Sequence, residues 1–296
     1  MTTTSSRQTG GSARRRLAAA LYRHPRAQLS ALLAVPLGWL VIAYLGSLAL
    51  MLVSAFWKLD SFSGNTITEP TLQNFTTLAD SEVYRNVALR TIGIAALVTL
   101  TDIVLAFPIA YFMARVASPR MRGLLVVSIL LPLWSGYLVK VYAWRLILNE
   151  TGVLNWALGP LGLHGPGYGE PAVWLVMSYL WLPYMILPIY AGLERIPSSL
   201  LEASDDLGAR SPTTFRRVVL PLALPAVAAG SIFTFSLTLG DYITPTLVSG
   251  TQFIGNVVYS NISVNRPLAA AYALVPIVIM IGYLLVARRL GAFEEL

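Results

Sequence analysis

The 296-residue chain contains no cysteine, and this one absence removes disulfide scaffolds, thiol nucleophiles and cysteine-ligated metal sites together. Charge is scarce as well. Asp, Glu, Lys and Arg make up 12% of the residues, about half the share of an ordinary soluble domain. Histidine occurs twice, at His24 and His164, each beside Pro or Gly and outside the apolar runs, so no metal or catalytic centre built on histidine is expected within them. The sequence holds no phosphate loop of the form G-x-x-x-x-G-K-[ST] and no clustered His/Asp or Ser/His constellation. No catalytic or metal-binding residues are therefore expected, and the chain itself is not expected to be an enzyme.

What remains is apolar, at 56% hydrophobic residues. Crossing about 30 Å of hydrocarbon takes roughly 20 apolar residues at 1.5 Å each, in a helix that satisfies its own backbone. Six stretches meet that length: 27–57, 91–114, 123–144, 171–193, 218–240 and 267–287. Charge interrupts them only at Asp102 and Lys140. The expected fold class is an all-α integral membrane protein with six transmembrane helices. Trp39, Tyr44 and Trp57 are candidate interfacial anchors of the first.

Lys and Arg placement sets the orientation. The tail 1–26 holds Arg7, Arg14, Arg15, Arg16, Arg23 and Arg26 and no acid, which keeps it in the cytoplasm. With spans alternating from there, the inner segments carry 15 basic and 6 acidic side chains and the outer ones 5 and 7. The net charge of +7 is thus a topology signal. A multi-pass membrane protein is expected, with both termini cytoplasmic and no role in nucleic-acid binding. The apolar piece Leu17–Tyr22 is broken by Arg23, His24, Pro25 and Arg26, so the first span reads as a retained anchor and not as a signal peptide. Residues 1–26 form a basic tail, expected to be disordered, and 27–296 the transmembrane domain.

The loop 194–217, between the fourth and fifth spans, is the most informative segment. Pro197 suits the first position of a helix, Gly208 can take the left-handed conformation that ends one, and Ser211-Pro212 reads as an N-cap with a first-turn proline. The helix between them sets Leu200, Leu201, Ala203 and Leu207 beside Glu202, Asp205 and Asp206, an amphipathic element suited to a partner's groove. Glu202-Ala203-Ser204, three residues, Gly208, nine residues, then Val218-Val219-Leu220-Pro221 resembles the EAA loop of binding-protein-dependent ABC importer permeases. That pattern is E-A-A, three residues, G, nine residues, I-x-L-P. Ser204 stands where the pattern has alanine and Val218 where it has isoleucine.

The resemblance covers most of residues 30–290 and is nearest the spermidine/putrescine branch, through Leu131–Trp144, Leu182–Tyr190, Gly240–Pro245 and Ile254–Asn256. It implies a type I importer core, with Glu202, Ala203, Ser204, Gly208, Leu220 and Pro221 coupling it to ATPase subunits. It also implies a second, homologous permease chain and an extracytoplasmic solute-binding protein. ATP and Mg would be bound by the ATPase partners, and the solute would be a small cationic or amino compound such as spermidine or putrescine. The alternative is a secondary transporter or channel working without ATP, which leaves the EAA pattern unexplained.

Along the pathway, Asp102 lies near mid-membrane and Lys140 one turn from the outer end of its span. Asp102 can attract a cationic solute or pair with Lys140, and Lys140 can snorkel, pair with Asp102 or repel cations as a gate, since an ionisable group at that depth is costly unless it has a use. Trp134, Tyr137, Tyr142, Trp144, Tyr184 and Tyr242 can bind ammonium groups by cation–π attraction or serve as ordinary anchors. Asp241 is expected either to receive a cation at the outer end of the fifth span or only to cap a turn. Pro183, Pro188, Pro221 and Pro225 are candidate kinks, for packing or for gating.

Overall fold

A computed structural model describes residues 25–60 and 63–289. The chain divides into two compact units, one ending at Ser54 and the other starting at Ala55. In the first, α1 (Pro25–Trp39) and α2 (Gly46–Ser54) are joined by a π-helical turn, Leu40–Leu45. Leu32–Ser54 forms a 23-residue apolar helical run, long enough to cross a bilayer. The expected tail lies almost wholly outside the described residues.

The second unit opens with a two-residue hairpin, β1 (Lys58–Leu59) against β2 (Thr66–Ile67), and a short helix α3 (Gln73–Asp80). Asn74 ties α3 down by donating to the carbonyls of Ala55 and Trp57 at 2.8 and 2.9 Å. The long helices follow: α4 (Glu82–Tyr111), α5 (Pro119–Trp134), α6 (Tyr137–Leu148), a short α7 (Val153–Leu158) and α8 (Glu170–Arg195). Next come α9 (Ser198–Asp206), α10 (Ser211–Thr214), α11 (Leu220–Gly240), α12 (Ile243–Val248), α13 (Ile254–Asn261) and α14 (Arg266–Arg289).

The central element is α8, packed against both α4 and α11. In its most apolar stretch 56% of residues are buried, against 22% in α14, so α14 presents far more of its surface to lipid or partners. The α8–α11 approach is close enough to need glycine. A Cβ at Gly230 would stand 2.9 Å from Met185 Sδ and 3.3 Å from its backbone. Helices without a hydrophobic force between them pack best through such small residues.

Five helical stretches are long and apolar enough to span a membrane: Leu32–Ser54, Glu82–Val116, Glu170–Arg195, Ser211–Gly240 and Arg266–Arg289. They match five of the six expected spans, with longer ends in most. The expected single span 123–144 is corrected. It is a broken pair, α5 and α6, bent by 93°. Ser135 and Gly136 are extended, and the Ser135 hydroxyl donates back to the Pro132 carbonyl at 2.8 Å, closing α5 before α6 starts in a new direction. Pro183, Pro188 and Pro225 run inside unbroken helices. Pro221 follows a π-helical turn, Phe215–Val219, whose wider winding relieves the clash of the proline ring with the carbonyl four residues back.

Candidate coupling loop and substrate pathway

The polypeptide between α8 and α11 builds a rigid corner. Pro197 sits at the N-cap of α9 in an extended conformation, one position earlier than expected, and Arg210 rather than Ser211 takes the N-cap place of α10. Gly208 has φ +72°, the left-handed conformation expected of it. Its N–H donates to Asp205 at 2.8 Å, and Ala209 donates to Ser204 at 3.1 Å, so the orphan carbonyls of the α9 end are satisfied.

The two faces of α9 differ. Leu201 turns inward onto a cluster containing Leu193, Ile196 and Val219, and Ser204 shares a hydrogen bond of 2.9 Å with the buried Thr214 hydroxyl. Outward, at helical spacing, stand Leu200, Ala203 and Leu207, the last 88% exposed, with Glu202, Asp205 and Asp206 around them. Leu220 is half-buried and Pro221 exposed in the first turn of α11. The six residues singled out from the sequence therefore form one connected segment, with an apolar, acid-rimmed helix on the outside.

Three residues not singled out fasten this corner to the rest of the bundle. Arg115 donates through Nη2 to the carbonyls of Leu193 and Ile196 at 2.6 and 2.7 Å, at the C-terminal end of α8. Arg122 donates through Nε to Met113 and through Nη2 to Ala114, at 3.1 and 3.3 Å, while its Nη1 meets Glu194 Oε1 at 3.0 Å. Tyr190 adds its hydroxyl to the same Glu194 oxygen at 3.1 Å. Counting charges for topology saw these arginines only as a sum.

About 30 Å away along the 21 residues of α11 lies its other end, at the candidate residues Asp241 and Tyr242. Asp241 terminates α11 and accepts four hydrogen bonds. Oδ1 takes the N–H groups of Ile243 and Thr244 at 2.8 and 3.3 Å; Oδ2 takes the Tyr137 and Thr244 hydroxyls at 2.5 and 2.6 Å. The turn-capping alternative thus describes its geometry. Tyr137 stacks on Trp181 at 6.0 Å, and Trp181 meets Tyr184 at 6.0 Å, so a line of rings leads from α8 to Asp241.

Tyr242 stacks on Tyr259 at 4.6 Å and borders a cleft of about 440 Å³ with Tyr142, Thr246, Gln252 and Asn256. Asn256 holds its floor, donating to the Tyr242 carbonyl at 2.8 Å and to Thr246 Oγ1 at 2.6 Å. The aromatic pair Tyr242–Tyr259 was half missed, because Tyr259 lies three residues beyond the Ile254–Asn256 segment that carries the resemblance and 17 residues from Tyr242 in sequence.

The remaining candidates are scattered. Trp134 projects from the end of α5, 92% exposed, and Lys140 is half-buried on α6. Asp102 is fully buried on α4, and among the described residues neither of its carboxylate oxygens has a hydrogen-bond partner. Among the described residues Asp102 and Lys140 form no ion pair, one of the alternatives open for them. After the bend at Ser135-Gly136, Lys140 rides on the redirected helix α6, not on a continuation of α5.

A bundle of membrane-crossing helices that offers an apolar helix at one end and a polar aromatic cleft at the other has the build of a transport subunit. The chain belongs to the family described as the binding-protein-dependent transport system inner membrane component, whose model matches residues 95–293. It is 46% identical over 293 residues to the inner membrane ABC transporter permease protein YdcU of Escherichia coli K12, covering 93% of each chain. It is 31% identical over 262 residues to the spermidine/putrescine transport system permease protein PotB of the same organism, covering 85% of this chain and 94% of that one. In fold it is similar to a chain of a bacterial alginate ABC transporter solved with an alginate pentasaccharide-bound periplasmic protein. That match has a TM-score of 0.73 at 20% identity and covers 93% of this chain and 97% of the other. The protein is a multi-span inner membrane permease subunit of an ABC importer.

Proposed function

We propose that this permease passes a small cationic amino compound, a polyamine such as spermidine or putrescine, and that an ATPase partner docked on α9 drives it. The observation that carries the coupling half is the two-faced α9. One face is locked to the bundle through Leu201 and Ser204, and the other leaves Leu200, Ala203 and Leu207 uncovered. Such a face fits a partner's groove, and its rigid mounting turns a partner's motion into a motion of α8 and α11. ATP and Mg would bind in that partner, in keeping with the lack of a phosphate loop here.

The solute half is supported by the cleft at Tyr242 and by likeness to a chain named for spermidine and putrescine. Stacked Tyr242 and Tyr259 offer π faces to ammonium groups and methylenes, at about 0.5–2 kcal/mol for each good contact. Asp241, with its lone pairs engaged, would act through its field and by fixing Tyr242, not as an open receiver. In this reading the cleft faces outward to a solute-binding protein, both termini and Gly208 face the cytoplasm, and a second permease chain completes the channel.

The test is reconstitution of the complex with its ATPase and binding protein in liposomes. Spermidine or putrescine is expected to raise ATP hydrolysis several-fold and to accumulate inside. ATP hydrolysis unmoved by either polyamine, yet raised by another solute, would remove the polyamine and leave the coupling. Failure of the chain to co-purify with any ATPase would remove the coupling as well.

A further inference from the structure

Where α4 and α14 begin, an apolar groove of about 420 Å³ opens between α3, α4 and α14. Leu78 of α3, Ala88 of α4, and Leu274, Val275 and Ile279 of α14 form its walls. Its floor is sealed by Tyr272, which is 2% exposed, donates its hydroxyl to the Tyr84 carbonyl at 2.7 Å and lies ring to ring with Tyr84 at 5.4 Å. The groove runs down α14 from Ala271 to Ile279, about 12 Å at 1.5 Å per residue.

One charged side chain borders it. Arg85 stands one turn into α4, close to the start of the candidate span Glu82–Val116, and it makes no ion pair among the described residues. Arg90, five residues further along the same helix, is engaged instead, with Glu170 at 2.6 Å and with the Gln252 carbonyl at 3.2 Å. A guanidinium at the edge of an apolar groove that follows a helix of membrane-spanning length matches a molecule with an anionic head and an apolar tail.

We propose that the groove is a binding site for one glycerophospholipid, its phosphodiester on Arg85 and the upper part of an acyl chain against Leu274, Val275 and Ile279. The charge at one end and the apolar walls along the rest favour this over a helix of a sister permease, which would leave the guanidinium opposite an apolar surface. The inference is independent of which solute is carried. A bound lipid here would brace α3 against α4 and α14, close to the start of three elements.

The experiment uses the full chain in its complex, extracted in a mild detergent from bilayers of phosphatidylethanolamine and phosphatidylglycerol, with retained lipid counted by native mass spectrometry. The wild type is expected to keep one phospholipid per chain through detergent exchange. Arg85→Gln should lower its retention about tenfold, the worth of a charge-assisted hydrogen bond to phosphate. Val275→Phe, which fills the groove and leaves the charge, should lower it comparably. A photo-reactive residue at Val278 should form adducts with lipid. Equal retention in all three proteins, or adducts at Val278 to another polypeptide, would overturn the proposal.

Discussion

Ser204 of α9 and Thr214 of α10 share a hydrogen bond of 2.9 Å across the turn at Gly208. The serine is the position at which this chain departs from the alanine of the EAA pattern, and the structure gives the departure a use, since it staples the two short helices that flank the turn. Ser204→Ala should leave the buried Thr214 hydroxyl without its partner and loosen α9 by about 1 kcal/mol. Hydrogen exchange would report this as faster exchange at the amides of 200–207. Adding Thr214→Val removes both polar partners and should restore most of the protection. Unchanged exchange in Ser204→Ala would mean that the staple contributes nothing.

Gly208 offers a cleaner test of the corner, because a Cβ there meets nothing within 4 Å and the only obstacle is φ +72°. Asn tolerates that conformation and Val does not, at a cost of roughly 1–2 kcal/mol. Gly208→Asn should support ATP-driven uptake close to wild type, whereas Gly208→Val should lose most of it at equal membrane abundance. Equal activity of the two variants would remove the left-handed turn from the coupling account.

Arg115 and Arg122 reach the same helix end by different means, and the magnitudes separate them. The Arg122–Glu194 pair is partly exposed, with side-chain accessibilities of 33% and 48%, so its net worth is under about 1 kcal/mol. The two carbonyl bonds of Arg115 are charge-assisted and carry about 1.5–3 kcal/mol each at most. Arg115→Met should therefore raise the ATP hydrolysed per solute carried, measured in proteoliposomes, much more than Glu194→Gln does. The reverse order would show that the ion pair, not the carbonyl clamp, fastens the loop.

At the opposite end, Asp241→Asn keeps the shape of the cap and removes the charge. Tyr137 and Thr244 can rotate their hydroxyls to suit the amide, so folding should survive. Spermidine stimulation of ATP hydrolysis should weaken, and the deficit should shrink at high salt, where long-range attraction is screened. Tyr137→Phe keeps the charge and drops one donor, and it should leave stimulation nearly intact. Equal stimulation in Asp241→Asn and wild type would reduce Asp241 to a turn cap.

How far the fold could be read in advance depended on which force shaped each part. Five spans were legible because hydropathy over about 20 residues reports the membrane directly. Gly208 and Pro197 were legible because backbone geometry narrows their residue choice. The break after Trp134 was not. Apolar and aromatic residues continue on both sides of Ser135-Gly136, and hydropathy records depth without direction. Nor does hydropathy show that Lys140 lies beyond that break, on a helix running in a different direction from α5. The four donors on Asp241 come partly from Tyr137, 104 residues away in sequence, a contact that no local pattern encodes. Arg115 and Arg122 were visible only as topology charges, because a carbonyl acceptor carries no residue identity.

The central claim is that α9 couples an ATPase to this permease, and Leu207, 88% exposed, is its most accessible reporter. Leu207→Cys is a unique thiol in a chain without cysteine, which allows it to be joined by a short bifunctional reagent to a partner in native membranes. The account predicts a cross-link to a nucleotide-binding ATPase subunit, with uptake and solute-stimulated hydrolysis lost together once it forms. A Leu207→Cys chain that labels freely from the cytoplasm, joins no ATPase and transports at the wild-type rate would contradict it.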